Sequence, residues 1–197
     1  VRGLKYKQEF RDNLDIIEKP KITKSKAKPY TKISFKPDFA RLGITGFSED
    51  IINLFRRRVI DITALTGKDV SVKFNGGKIP IKTFQSYIDQ YIGTKGDTKR
   101  IYEEGNERWE YAVCLAPSGE FTQISFVNGL FTGKGGKHVD YIVNQITKKM
   151  IAHIKAKKKV NVKPSTIKEQ IMVFVRCDIE NPSFDSQTKD YMSTPAS

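Results

Sequence analysis

Ile171-Met172-Val173-Phe174-Val175 is five apolar residues without a polar interruption, the pattern of a central strand rather than one with a wet face. Such a strand needs neighbours, and the rest of the chain offers them. Trp109, Tyr111, Val113 and Leu115 alternate with Glu110, Ala112 and Cys114, as in a half-buried antiparallel strand. Pro117-Ser118-Gly119 then turns the chain into a second strand through Ile124, Phe126 and Val127. Asn75-Gly76-Gly77, between Val70–Phe74 and Ile79–Ile81, has the residues that tolerate positive φ in a hairpin turn. Tyr30 to Phe35 alternates like a further strand, with Ile33 and Phe35 on one face. Asn181-Pro182 closes the apolar run.

Helical spacing separates these strands. Ser48 reads as an N-cap with Glu49 and Asp50 in the first turn, ahead of Ile51, Ile52, Phe55, Val59, Ile62 and Leu65, and Gly67 stops the run. Arg56, Arg57 and Arg58 sit on that helix. Adjacent positions fan around the axis, so at least one arginine is expected over the edge of the core with its charge snorkelling. Phe84, Tyr87, Ile88 and Tyr91 predict a short second helix, and residues 93–107 a loop or variable hairpin. The longest helix is expected from about Lys137 to Ile154, with Val139, Ile142, Val143, Ile146, Met150 and Ile154 on its apolar face. Another short one is expected near Ser165 to Gln170. Strands, hairpins and helices mixed in this way make an α+β chain around one mixed sheet, with no internal repeat.

Residues 1–30 read differently, as a polar arm with Pro20 and Pro29 that connects to, or is borrowed from, a preceding domain. The chain opens on Val1 rather than Met, as a piece of a longer polypeptide does.

Charge narrows the partner. The formal net charge is +13, and it is uneven. Residues 19–36 carry seven lysines and no acid; residues 121–168 carry ten lysines against Asp140 alone. Those stretches hold +16 between them, and the remainder nets −3. Such a field favours a polyanion, nucleic acid before membrane, over a basic surface kept only for solubility. No apolar run approaches the ~18 residues of a membrane span.

Catalytic constellations are missing. No serine sits in a nucleophile elbow, no histidine pair has metal spacing, and the acids are scattered. His138 and His153 are expected on the helix surface or as caps; Cys114 and Cys177 are expected in the core. Gly133-Lys134-Gly135-Gly136-Lys137 lacks Walker spacing and fits a tight strand-to-helix turn better than a phosphate loop. The lysines Lys155, Lys157, Lys158 and Lys159 stand at a helix C-terminus and run into a loop free of acids. Backbone phosphates could be met there without sequence reading, or the cluster could be a charged helix end.

The segment Glu180-Asn181-Pro182-Ser183-Phe184-Asp185-Ser186-Gln187-Thr188-Lys189 strongly resembles the switch loop of eukaryotic-type type IIA DNA topoisomerases. Phe35-Lys36-Pro37-Asp38, Arg57-Arg58-Val59 with Asp61-Ile62, Asn75-Gly76, Gln123 to Asn128 and Gly135-Gly136-Lys137-His138-Val139-Asp140-Tyr141 resemble that family's transducer in the same order, over residues 30–197. The resemblance implies a ribosomal-protein-like left-handed β-α-β fold. Residues 1–29 would be the exit from a GHKL-type ATPase domain, and residues 30–197 a transducer leading to a DNA-cleaving core.

By motif, Lys189 would contact the γ-phosphate of ATP, with Gln187 and Thr188 in the same loop. The lysines Lys155, Lys157, Lys158 and Lys159 would take the place of the family's DNA-contacting lysine loop, with Ala156 interrupting the run. ATP and Mg2+ would bind mainly in the ATPase domain, so no metal site and no catalytic residue is expected in this segment. The partners implied are double-stranded DNA and a second protomer, with no membrane. The expected place of work is the nucleus for a cellular protein, or a cytoplasmic viral factory for a viral one. The alternative is a non-enzymatic nucleic-acid-binding module that shares the fold.

Overall fold

The computed structural model describes residues 2–195, which fall into two compact units divided after Ile52. The first carries two short antiparallel ladders. Strand β1 (Leu4–Lys7) pairs antiparallel with β4 (Lys21–Lys24), Leu4 opposite Lys24, and between them β2 (Phe10–Arg11) pairs with β3 (Ile16–Ile17). The lysine-rich run, read as part of a connector, thus supplies one strand of an antiparallel ladder. Tyr30 to Phe35, expected as a strand, has no ladder partner among the described residues, and Ile33 and Phe35 stand 85% and 80% exposed. Alternation makes a strand only where a neighbour takes its hydrogen bonds and something covers its apolar side.

The second unit is built on the central strand. In chain order its elements are α1 (Glu49–Thr63, this unit's from Asn53 on), β5 (Lys73–Phe74), β6 (Gly77–Lys78), α2 (Phe84–Ile92), β7 (Arg100–Asn106), β8 (Trp109–Leu115), β9 (Thr122–Val127), β10 (Leu130–Phe131), β11 (Gly135–Gly136), α3 (Lys137–Lys158), α4 (Pro164–Glu169), β12 (Ile171–Cys177) and β13 (Tyr191–Met192). The main sheet runs β10-β9-β12-β8-β7. Strand β12 lies in the middle, antiparallel to β8 and parallel to β9, so α3 and α4 form the crossover from β9 to β12.

Both faces of this sheet are covered. Met172 and Phe174 of β12, Ala112 and Cys114 of β8, and Ile124 and Phe126 of β9 pack with Phe84, Tyr87 and Ile88 of α2 and with Ala64. Ile171, Val173 and Val175 face Val139, Ile142 and Val143 of α3, with Trp109, Tyr111 and Val113 beside them. Strand β8 is therefore covered on both sides, and its alternation marks two different cores instead of core and water. Residues 100–106, read as loop or hairpin, form the edge strand β7, with a bulge between Glu104 and Asn106.

Local signals fix the element ends. Ser48 Oγ accepts the Ile51 N–H at 3.3 Å, as expected of the N-cap. Thr83 and Ser86 form a reciprocal capping box at α2. Asn75 and Gly76, at φ 48° and 80°, make the two-residue turn between β5 and β6. The apolar stripe expected on α1 is rotated. Asp61, Thr63 and Ala64 are buried, whereas Ile62 is 47% exposed. Buried Asp61 is held by the Tyr87 hydroxyl, which donates to it at 2.7 Å. No helix among the described residues is long and apolar enough to cross a membrane.

Candidate functional site

Two regions carry the residues singled out from the sequence, and α3 connects them. The first follows β12. Asn128 grips the chain as it leaves the sheet: its Oδ1 accepts the Ile179 N–H at 2.7 Å and its Nδ2 donates to the Ile179 carbonyl at 2.8 Å. The chain then folds back on itself. Ser193 N–H donates to the Ser183 carbonyl at 2.9 Å, Ser183 N–H to Thr194 Oγ1 at 2.7 Å, and Asp185 N–H to the Tyr191 carbonyl at 3.2 Å. Phe184 is bridged to Met192 and packs with Val127, Cys177 and Met192.

On that stem Ser186 to Lys189 form a tight turn, closed by the Lys189 N–H on the Ser186 carbonyl at 3.0 Å. Gln187 and Thr188 are exposed at its tip. Lys189 has left-handed backbone (φ 58°), and its Nζ stands 5.6 Å from the centre of the Phe184 ring. The expected trio Gln187, Thr188 and Lys189 is thus gathered at the end of an anchored, irregular hairpin.

The second anchor is a glycine contact. Strand β13 pairs parallel with β11, Gly135 beside Tyr191 and Gly136 beside Met192, and the Lys134 N–H donates to the Asp190 carbonyl at 2.9 Å. A Cβ on Gly136 would stand 2.3 Å from the Met192 oxygen, and its φ of 143° is one that side chains avoid. The glycine-rich turn at 133–136 therefore serves the loop after β12 as well as the start of α3.

His138, expected at the surface, is buried in the first turn of α3. Its Nε2 is 3.1 Å from Thr132 Oγ1, which is 2.5 Å from Ser125 Oγ, and its Nδ1 has no hydrogen-bond partner among the described residues. Burial pushes the imidazole down to about 4, so it is neutral at pH 7. Cys114 and Cys177 are buried as expected, and burial pushes the Cys177 thiol up to about 12, out of nucleophilic range.

The other region is the far end of α3. The helix has 22 residues, about 33 Å at 1.5 Å per residue. It runs one turn beyond the expected end, so Lys155, Lys157 and Lys158 lie in its last turn; Lys159 caps it at φ 56°, its N–H on the Lys155 carbonyl at 3.0 Å. All four are exposed, and among the described residues none has a carboxylate within 4 Å. The structure therefore sets the lysines and the Gln187–Lys189 turn at opposite ends of one helix.

Sequence reading missed an ion pair beside the first region. Arg176 of β12 pairs through Nε with Glu110 of β8, and its Nη1 donates to the Ala64 carbonyl at 2.7 Å. Burial raises the Glu110 carboxyl, and Arg176 opposes that rise. The pair lines a cleft of about 580 Å³ with Phe84 and Phe126, and it ties the end of α1 to the sheet. In the sequence Glu110 falls on the face that alternates with the apolar residues of β8, so nothing local marked it as buried. Among the described residues, no group of three His, Cys, Asp or Glu could hold a metal.

Comparison with known proteins gives the family of the chain. A family model described as DNA gyrase B matches residues 80–197. DNA topoisomerase 2 of Arabidopsis thaliana is 42% identical over 197 residues, 96% of this chain, and DNA topoisomerase 2-beta of Gallus gallus is 44% identical over 195 residues, 95% of it. The chain spans only 13% and 12% of those relatives. The structure superposes on the ATPase region of Saccharomyces cerevisiae topoisomerase II with a TM-score of 0.87 and 40% identity, covering 98% of this chain and 50% of that one. On the ATPase and transducer domains of DNA topoisomerase II from Balamuthia mandrillaris the TM-score is 0.84, with 34% identity and the same coverage. With the family match extending over more than half of its length and eukaryotic topoisomerase 2 relatives along nearly all of it, the chain belongs to the DNA gyrase B family.

Proposed function

We propose that this chain is the transducer segment of an ATP-dependent type II DNA topoisomerase, reporting nucleotide state from a preceding ATPase domain to a DNA gate. The observation that carries the proposal is the hairpin at 179–194, whose stem is fastened to the sheet at Asn128 and to α3 at Gly136, while Gln187 and Thr188 are exposed at its tip and Lys189 is half-exposed beside them. A lysine on such a tip is a compact charge with three donors, suited to a terminal phosphate. While the phosphate is present the tip is drawn to it. When the phosphate leaves, that attraction ends and the fastened stem passes the change to β12 and α3.

In this reading Gln187 and Thr188 complete the nucleotide contact. ATP and its Mg2+ are held mainly by the ATPase domain, and two protomers close on a duplex that the lysines at 155–159 touch. The enzyme works where its DNA lies, in the nucleus for a cellular protein and in a cytoplasmic factory for a viral one.

The test is ATP turnover and DNA relaxation by the intact protein with Lys189→Ala. Loss of a charged hydrogen bond worth roughly 1.5–3 kcal/mol lowers kcat/KM for ATP about 10- to 100-fold, with the fold unchanged. Unchanged turnover and relaxation would overturn the switch role and favour a DNA-binding module without nucleotide sensing.

A further inference from the structure

The three adjacent arginines of α1 have no role in the switch or in the lysine cluster. Each guanidinium is placed over an aromatic ring from another element. Arg56 lies 5.6 Å from the centre of the Phe74 ring, Arg57 5.9 Å from Tyr91 and 5.7 Å from Phe131, and Arg58 4.8 Å from Phe131. Arg57 also donates from Nη2 to the Tyr91 hydroxyl at 3.2 Å. All three residues are nevertheless exposed.

A guanidinium lying over a ring gives up none of its five N–H donors, and the ring restricts where those donors can point. These arginines are therefore held in place with most of their hydrogen-bonding capacity unspent. The charge of Arg56 and Arg57 is also unspent: Arg58 pairs with Oδ2 of Asp61 at 3.4 Å, whereas among the described residues no carboxylate lies within 4 Å of Arg56 or Arg57. Arg57 and Arg58 share the Phe131 ring, so two cations are gathered at one place, and among the described residues only Arg58 has a carboxylate within 4 Å. Like charges held together raise the energy of the free protein, and an oxyanion relieves it. Planar, fixed guanidinia suit phosphate oxygens in two-point contact, which flexible lysines cannot offer.

We infer that Arg56, Arg57 and Arg58 form a second contact for the phosphodiester backbone of duplex DNA, separate from the lysines at 155–159. The inference rests on the DNA-facing role proposed above. Its position also fits that role. Phe131, under two of the arginines, is followed by Gly133 against its own ring and by Lys134, whose N–H holds the Asp190 carbonyl next to Lys189. A duplex on this patch would lie against the strand that leads into the root of the switch hairpin.

The test measures binding of the intact protein to a short duplex across a range of potassium chloride. Three triple or quadruple variants are compared: Arg56→Gln with Arg57→Gln and Arg58→Gln, the same three to Lys, and the four lysines at 155–159 to Gln. The inference expects the arginine-to-glutamine variant to lower the slope of log affinity against log salt by about 2–3, at about 0.9 per phosphate lost. The lysine replacement should keep most of that slope but bind less tightly. In the unsubstituted protein, duplex should also protect the 56–58 peptide from a guanidinium-specific dicarbonyl reagent, a readout that needs no variant to fold. An unchanged slope with no protection, while the variant at 155–159 loses slope, overturns the arginine contact and leaves the DNA role standing. Absence of salt-dependent duplex binding in the unsubstituted protein overturns that role itself. Protection by an acidic polypeptide but not by duplex would overturn the assignment of DNA as the partner.

Discussion

At its first turn α3 is walled in: Gly136 lies against the backbone of Met192, and His138 is buried on Thr132. At its last turn, 22 residues on, the same helix ends in exposed lysines that touch no acid among the described residues. On the function proposed above, the contrast follows what each end would hold. A loop that must present one ammonium group to one phosphate needs its stem fixed to a fraction of an ångström, and close packing of glycine and buried side chains supplies that. A polyphosphate backbone offers charge at every step, so mobile cations suffice and a fixed frame would add little.

The walled-in end should break more readily. Gly136→Ala forces a Cβ into the space of the Met192 carbonyl at a φ that alanine avoids. The expected loss is about 3–5 kcal/mol in unfolding free energy, with faster proteolysis between residues 178 and 190 as β13 is pushed off β11. Denaturant unfolding with limited proteolysis measures both. A loss below about 1 kcal/mol would mean that the hairpin is not fastened there.

His138 sharpens the same point through pH. Its folded value, about 4, lies below the ordinary 6.5, so between those values the unfolded chain binds a proton that the folded one refuses. Stability from the neutral imidazole is complete above about pH 6.5 and is lost as pH falls toward 4, by about 2–3 kcal/mol. The fall in unfolding free energy from pH 7 to pH 4 should therefore be larger by that amount in the unsubstituted protein than in His138→Gln. Equal falls would show that the ring is not desolvated at this end of α3.

His138 also shows where sequence reading stops. A histidine in a first helical turn looks solvent-facing, and nothing local says that Thr132 and Ser125, from the β9–β10 hairpin, will close over it. Local chemistry was legible: the Ser48 cap, the Asn75-Gly76 turn and the apolar run of β12 are where the residues placed them. Alternation in β8 was legible but ambiguous, because Trp109 and Tyr111 pack on α3 while Ala112 and Cys114 pack toward α2, and a period of two cannot tell a second core from water. Pairings between distant segments were not legible. The β1–β4 ladder joins residues 14 to 20 positions apart, and β11–β13 joins residues more than fifty apart. The tip Gln187-Thr188-Lys189 was found through its likeness to a family loop, whereas the clamp at Asn128 and Gly136 needed the fold.

The exposed end of α3 should yield the smallest effect on the fold. Replacing Lys155, Lys157, Lys158 and Lys159 by Gln keeps polar, helix-compatible side chains and removes four charges that no acid among the described residues opposes. What the fold loses is their attraction to the helix C-terminus, partly returned by relief of mutual repulsion, so the expected change is within about 0.5 kcal/mol. Duplex binding should change far more, with the salt slope falling by about 0.9 for each lysine that meets a phosphate. A thermal melt and a salt titration on the same variant decide the matter together. A stable variant with a flattened slope makes this end a charge carrier without a structural duty. A variant that melts early with its slope intact would reverse the comparison, making the lysines part of the frame.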